Sequence, residues 1–358
     1  MQAKIKKIIC TFGAWAALTG ALAMAQQPQA RHWAIIVHGG AGDIDRTELG
    51  PERDKAYREA LSEAVKAGAA ALDRGGSALN AVEAAIRVME DDPHFNAARG
   101  AVFTAAGKTE LDAAIMDGAT LRAGAVADVT RTRYPITLAR AVMEKTPYVL
   151  LVGPGADAFS LDAGMEQEGA AYFFTENRWQ SLVKQLRKEG RPIPPRPAGA
   201  PPDQAVPVAQ MEEAADTHRY GTVGVVALDR RGNLAAGTST GGLQGKMPGR
   251  VGDTPLIGAG TYASNQSCAV SATGVGEFFI RYTVAREICA LVQYRGLTLQ
   301  KAADEVIQKR LAPIHGDGGV IAIAPDGQLA WSFNTSGMFR ARQVEGGQLE
   351  VHIYNDEP

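Results

Sequence analysis

The sequence predicts a mixed α/β (α+β) fold in which sheets pack on each other and helices cover them outside. Three observations carry this prediction. Apolar, strand-like runs stand at both ends of each half of the chain, with helical patterns between them. No internal repeat breaks that order. Once a removable leader is set aside, roughly 330 of the 358 residues remain, enough for one large layered domain or two ordinary ones.

The leader comes first. Lys4, Lys6 and Lys7 precede an apolar run from Ile8 to Leu22, and Ala23-Met24-Ala25 follows it. A basic start, an apolar stretch too short for a comfortable membrane span and an A-x-A site predict an export signal over residues 1–25. The mature chain is therefore expected in a bacterial periplasm, with no membrane attachment after cleavage.

Ala34 to Val37 reads as a buried strand entering the glycine-rich turn His38-Gly39-Gly40-Ala41-Gly42-Asp43. Helical patterns follow over Arg53 to Leu72 and from the N-cap candidate Ser77, where Leu79, Val82, Ile86 and Met89 share a face. Phe95 to Thr104 and Leu111 to Gly118 read as two short strands, Pro135 to Glu144 as a helix and Tyr148 to Val152 as a strand. From residue 176 to 221 a short basic helix gives way to a Pro- and Gly-rich stretch, Pro192 to Pro202, expected to be a flexible linker without a core of its own. Beyond it, Gly221 to Leu228 and Leu234 to Ser239 flank the turn residues Asp229-Arg230-Arg231-Gly232-Asn233 as a hairpin. Helices near Glu277 to Tyr294 and Leu297 to Leu311 and a last hairpin around Pro325-Asp326-Gly327 complete the order.

Charged residues make up 21% of the chain and the net charge is -2, with no basic run outside the leader. Nothing here offers nucleic acid an electrostatic footprint, so a small molecule or short peptide is the expected partner. Beyond the leader only Cys268 and Cys289 are present. They are too few to staple a fold of this size, and either a disulfide or two buried thiols fits.

Four clusters in the second half carry chemistry: Thr222; Thr238-Ser239-Thr240-Gly241-Gly242; Pro248-Gly249-Arg250-Val251-Gly252-Asp253; and Ala272-Thr273-Gly274-Val275-Gly276-Glu277. Singly each has a plain structural explanation, since threonine favours strands, glycines suit turns and an Arg/Asp pair is commonly a weak surface contact. Together they offer a hydroxyl nucleophile, a pair of opposite charges and an exposed backbone. No G-x-S-x-G elbow accompanies the six histidines, and no metal-ligand spacing stands out. A hydrolase built on these residues needs another base.

G-T-V-G, T-S-T-G-G, K-M-P-G-R-V-G-D and G-A-G-T-Y-A-S-N between Gly221 and Asn265 resemble the plant-type (type 2) L-asparaginases, or isoaspartyl peptidases, of the N-terminal nucleophile (Ntn) hydrolase superfamily. The likeness extends through H-G-G-A-G at His38, F-N-A at Asn96, L-D-A at Leu111, T-G-V-G-E and F-N-T-S-G-M at Phe333, in colinear order over nearly all of the chain beyond the leader. It implies a four-layer αββα sandwich and self-cleavage between Gly221 and Thr222. Residues 26–221 and 222–358 would then be α and β subunits of one domain, paired into an (αβ)2 heterotetramer. It further implies Thr222 as nucleophile with Thr240 beside it, and Arg250 and Asp253 as a clamp for the substrate's α-carboxylate and α-amine. Thr273 and Gly274 would form the oxyanion hole, with Gly276 lining the pocket and Asn96 holding the nucleophile region. A structural sodium ion in the loop from Met89 to Arg99 would be the only cofactor. Two features depart from the family pattern: Ala98 replaces a glycine in that loop, and His218-Arg219-Tyr220 precedes the cleavage point.

The chemistry implied is hydrolysis of β-aspartyl peptides and L-asparagine with release of aspartate. An α-amine has a pKa of about 7.7 to 8.0 and can take a hydroxyl proton at neutral pH, so cleavage would create the missing base on the nucleophile itself. The nearest alternative is a glycosylasparaginase. From another class, the same Arg250 and Asp253 could serve a periplasmic amino-acid-binding protein, which would have no reason to split.

Overall fold

A computed structural model describes residues 32–202 and 221–357; the expected export leader and the residues just before the expected cleavage point lie outside the described residues. The strands are β1 (Ala34–Gly42), β2 (Leu111–Asp117), β3 (Ala123–Val129), β4 (Leu150–Val152), β5 (Val223–Leu228) and β6 (Leu234–Thr240). After them come β7 (Thr261–Ala263), β8 (Ala269–Gly274), β9 (Gly318–Ile323), β10 (Leu329–Phe333), β11 (Gly337–Val344) and β12 (Glu350–Tyr354). They form an eight-stranded sheet in the order β12-β11-β1-β5-β6-β2-β3-β4 and a four-stranded sheet in the order β10-β9-β8-β7.

Both faces of the inner strands are buried, which is why β1 and β5 read as unbroken apolar runs. Ala34 and Ile36 of β1, with Val226 and Leu228 of β5, meet Ala263, Ala269, Ile321 and Ile323 of the smaller sheet. Ile35 and Val37, with Val223 and Val225, face the opposite way into a core shared with the first helices.

Those helices are α1 (Arg46–Asp73), α2 (Ala78–Asp91) and α3 (Pro135–Lys145). The smaller sheet is covered by α8 (Val284–Arg295) and α9 (Leu299–Asp304), which enclose a core around Phe279, Ile288 and Val306. The result is the expected αββα sandwich. Short helices α4 (Gly153–Asp162), α5 (Ala170–Phe173), α6 (Glu176–Lys188) and α7 (Gly276–Tyr282) fill the edges. Among the described residues no helix is long and apolar enough to cross a membrane.

Local signals placed most elements. Ser77 caps α2 by accepting from the Asn80 N–H at 3.2 Å, and Asp45 caps α1, which kinks at Gly50 where φ is 71°. The expected helix from 277 to 294 divides at Thr283, whose φ of 45° ends one helix and starts the next.

One expectation changes, and one open alternative is decided. Residues 95–104 are a loop with a single helical turn, Ala98–Gly100, because their backbone groups serve neighbouring segments instead of a ladder. Ala98 does take left-handed backbone, φ 43°, where the family pattern has glycine. The expected basic helix after residue 176 is α6, which buries Trp179, Leu182 and Leu186; within the Pro- and Gly-rich stretch that follows, Arg196 bonds Glu176 and lies over the rings of Phe174 and Trp179. Cys268 and Cys289 form a disulfide within the core of the smaller sheet.

Candidate active site

Thr222 stands immediately before β5, whose neighbours are β1 and β6. Gly224 pairs with His38 on one side and Thr238 on the other, and a Cβ there would collide with the His38 ring and the Ser271 hydroxyl. The strand therefore needs glycine at this point. The Thr222 hydroxyl donates to Thr240 Oγ1 at 2.9 Å, and Thr240 Oγ1 also accepts from the Gly242 N–H at 3.0 Å. The Thr222 hydroxyl thus stands beside a pre-oriented acceptor.

Asn96 ties this region together. Its backbone N–H donates to the Gly221 carbonyl at 3.0 Å, its carbonyl accepts from the Gly241 N–H at 3.1 Å, and its amide donates to the Gly242 carbonyl at 2.7 Å. Val102 N–H closes the remaining side by donating to Asn96 Oδ1 at 2.9 Å. One buried residue thus fastens both the residue before Thr222 and the turn after Thr240.

Arg250 is bound to Glu277, not to Asp253: Nε and Nη2 donate to the two carboxylate oxygens at 3.0 and 2.9 Å. That bond to Arg250 holds the Glu277 carboxyl below its usual range. Asp253 is buried with no hydrogen-bond partner on Oδ2, and burial pushes its carboxyl up to about 7. Gly276 fits between the two because a Cβ there would lie 2.9 Å from Arg250 Nη2 and 3.0 Å from Asp253 Oδ1.

Thr222, Thr240, Arg250, Asp253 and Gly274 line one small concavity. Thr273, Gly276 and Asn96 stand one residue or one contact behind its wall. The Thr273 hydroxyl is buried and makes no hydrogen bond, so it is free to donate to an incoming oxygen. Larger clefts of about 600 and 490 Å³ lie elsewhere and contain none of these residues. Convergent chemistry outweighs size in choosing between them.

Sequence reasoning missed three supports. Glu277 enters the sequence only within the T-G-V-G-E motif, 27 positions from Arg250, and its spacing gives no sign that it holds that arginine. Buried Lys246 donates to the Glu110 carbonyl at 3.0 Å, while Glu110 Oε2 accepts from the Gly249 N–H at 2.9 Å, which anchors the glycine-rich loop before Arg250. His38 has no serine elbow near it in the sequence, yet its Nδ1 lies 3.0 Å from the Thr222 carbonyl.

A four-layer sandwich with a hydroxyl at the head of an inner strand defines the class as the Ntn-hydrolase fold. The family model described as "Asparaginase" matches residues 31–353. The chain is 46% identical over 323 residues to an isoaspartyl peptidase of Escherichia coli, an alignment covering 90% of this chain and 96% of that one. It is 43% identical to a probable isoaspartyl peptidase/L-asparaginase of Arabidopsis thaliana, over 90% of this chain and 99% of that one. To an isoaspartyl peptidase/L-asparaginase of Rattus norvegicus it is 39% identical, with 89% and 88% covered. The chain belongs to the type 2 asparaginase family, and it is a hydrolase.

Proposed function

We propose that this enzyme hydrolyses β-aspartyl peptides and L-asparagine, using Thr222 as an N-terminal nucleophile released by self-cleavage after Gly221. The observation that carries the reading is the Thr222–Thr240 hydroxyl contact at 2.9 Å in one concavity with Arg250, Asp253 and Gly274. In the uncleaved chain Thr222 Oγ1 attacks the Gly221 carbonyl, whose oxygen is held by the Asn96 N–H. The acyl group shifts from nitrogen to oxygen, and water hydrolyses the ester.

The free amine then accepts the proton of Thr222 Oγ1 as that oxygen attacks the substrate's side-chain amide. The Thr273 hydroxyl and backbone at Gly274 stabilise the oxyanion. The leaving ammonia or amino acid takes the proton back, and a water activated by the same amine releases aspartate. Arg250 receives the α-carboxylate and Asp253 the α-ammonium. An ordinary α-linked peptide lacks both free groups at that residue, which selects β-linked substrates.

Export and assembly belong to the same reading. The Cys268–Cys289 disulfide is a bond that persists in oxidising compartments, and it supports a periplasmic protein cleaved near Ala25. The edge strand β4 exposes Leu150 and Val152, Tyr148 and Val149 are exposed just before it and Leu161 nearby, an apolar edge suited to a partner copy in an (αβ)2 heterotetramer. A sodium ion in the loop Met89 to Arg99 would be held by backbone carbonyls, and those of Pro93 and Phe95 stand together beside Gly100, where a Cβ would collide with both. It would brace the loop and take no part in the reaction. A denaturing gel of purified protein should show two fragments split at Thr222, and those fragments together should turn over asparagine and a panel of β-aspartyl dipeptides. A single uncleaved band with full activity would refute the proposal.

A further inference from the structure

Cleavage leaves Thr222 attached to the protein only through its carbonyl side, so its amine and hydroxyl can be aimed only by what grips that carbonyl and the hydroxyl. The hydroxyl is gripped by Thr240. The carbonyl is gripped by His38, whose Nδ1 lies 3.0 Å away. On its far side, His38 Nε2 lies 3.0 Å from Ser271 Oγ. Ser271 Oγ is 2.7 Å from Thr238 Oγ1, and Thr238 Oγ1 is 2.7 Å from Thr261 Oγ1. All four side chains are fully buried, and they alternate between the two sheets: His38 and Thr238 from the larger, Ser271 and Thr261 from the smaller. Three hydroxyls and an imidazole buried in an otherwise apolar seam call for an explanation.

We propose that His38 is a positioning residue for the nucleophile, its Nδ1–H holding the Thr222 carbonyl while the hydroxyls of Ser271, Thr238 and Thr261 lock the ring in that tautomer. The proton count fixes the direction. A carbonyl only accepts, so Nδ1 must carry the hydrogen. Burial lowers the His38 pKa to about 3, so the ring is neutral and Nε2 must accept. Ser271 then donates to Nε2, Thr238 to Ser271 and Thr261 to Thr238, each hydroxyl spending its single proton.

A reversed chain is also conceivable, ending on the carbonyls of Gly260 and Thr254 at 3.3 and 3.2 Å. It uses those longer contacts and sets a bare Nδ1 against the lone pairs of the Thr222 oxygen. The forward direction keeps the short contacts and satisfies the carbonyl. Gly224 makes the arrangement possible, since any side chain there would occupy the space where the ring and Ser271 meet.

The proposal rests on Thr222 being the nucleophile, and its test separates the two claims. In wild-type protein carrying 15N-histidine, the His38 signals are those missing from His38→Asn. A protonated Nδ1 with a bare Nε2 is expected between about pH 6 and 8; a protonated Nε2 would overturn the proposal, whatever the variants do. In the self-cleaved variants, the Asn amide nitrogen overlays Nδ1 and the Gln amide nitrogen overlays Nε2. His38→Gln should lose about 10²-fold in kcat with KM near wild type, the scale expected of a misplaced nucleophile, while His38→Asn recovers most of it. Equal losses in both, or a loss carried by KM, would reduce His38 to packing. Hydrolysis by Thr222→Ala would instead remove the nucleophile reading and leave the tautomer result standing.

Discussion

Asp253 should make asparagine turnover depend on pH in a way that a substrate without an amine escapes. Its carboxyl is buried beside Arg250, with Glu277 and Asp112 adding negative charge nearby, and burial raises it to about 7. The ionised form is the one that binds an ammonium, and for a raised carboxyl that form is gained as pH rises through 7. A group with that pKa is roughly nine-tenths ionised at pH 8 and one-tenth at pH 6, so binding through it should weaken nearly tenfold across that interval. The Thr222 amine, with an expected pKa of about 7.7 to 8.0, titrates in the same range but affects every substrate alike. The assay is therefore a ratio: kcat/KM for asparagine over kcat/KM for succinamic acid, which keeps the amide and carboxylate and lacks the α-amine. That ratio should fall nearly tenfold from pH 8 to pH 6, and asparagine binding at pH 6 should release close to one proton. A flat ratio would show that Asp253 does not meet the ammonium.

Thr273→Val should lower kcat by roughly 10² to 10³, the usual loss of one oxyanion donor; a change within about threefold would assign that oxygen to another group. Arg250→Ala should leave self-cleavage intact and reduce kcat/KM by about 2–5 kcal/mol, because a substrate carboxylate loses its partner, and unchanged kinetics would remove Arg250 from the site. Replacing Cys268 and Cys289 with alanine opens a loop of sequence separation 21 and should lower stability by roughly 3 kcal/mol, read as the shift in a denaturant midpoint. An unchanged midpoint would show that the bond does not form in solution.

Local physics made much of this fold readable. The strand-like runs of β5 and β6 on either side of the turn residues Asp229–Asn233 predict their hairpin, and Ser77 announces the start of α2, because each depends on residues a few positions apart. Partnerships across long separations were not readable. Nothing in the spacing says that β1 lies between β5 and β11, or that Cys268 and Cys289 come within 5.3 Å at their Cα atoms.

The site divides the same way. Thr222, Thr240, Arg250, Asp253 and Gly274 were legible through motifs and do meet in one concavity. Asn96 reads from sequence as part of a short strand over Phe95 to Thr104, whereas its backbone bonds go to Gly221 and Gly241. His38 escaped notice as a support because its partners come from β8 and from Thr222, both far along the chain.

The central claim is that hydrolysis needs the free amine of Thr222 as well as its hydroxyl. Gly221→Val separates the two, since a side chain at Gly221 would begin 3.0 Å from the Asn96 Cβ and disturb the carbonyl that must be attacked. The preparation to assay is one in which mass spectrometry finds only uncleaved chain. A second sample, nicked by protease within residues 192–202, guards against simple occlusion by the preceding segment and still leaves Thr222 acylated. Both should show less than about a thousandth of the wild-type kcat on asparagine, because an acylated nitrogen cannot accept the proton and general-base help alone is commonly worth 10² to 10⁴. Substantial hydrolysis by either sample would mean that another residue is the base, and the N-terminal nucleophile account would fall.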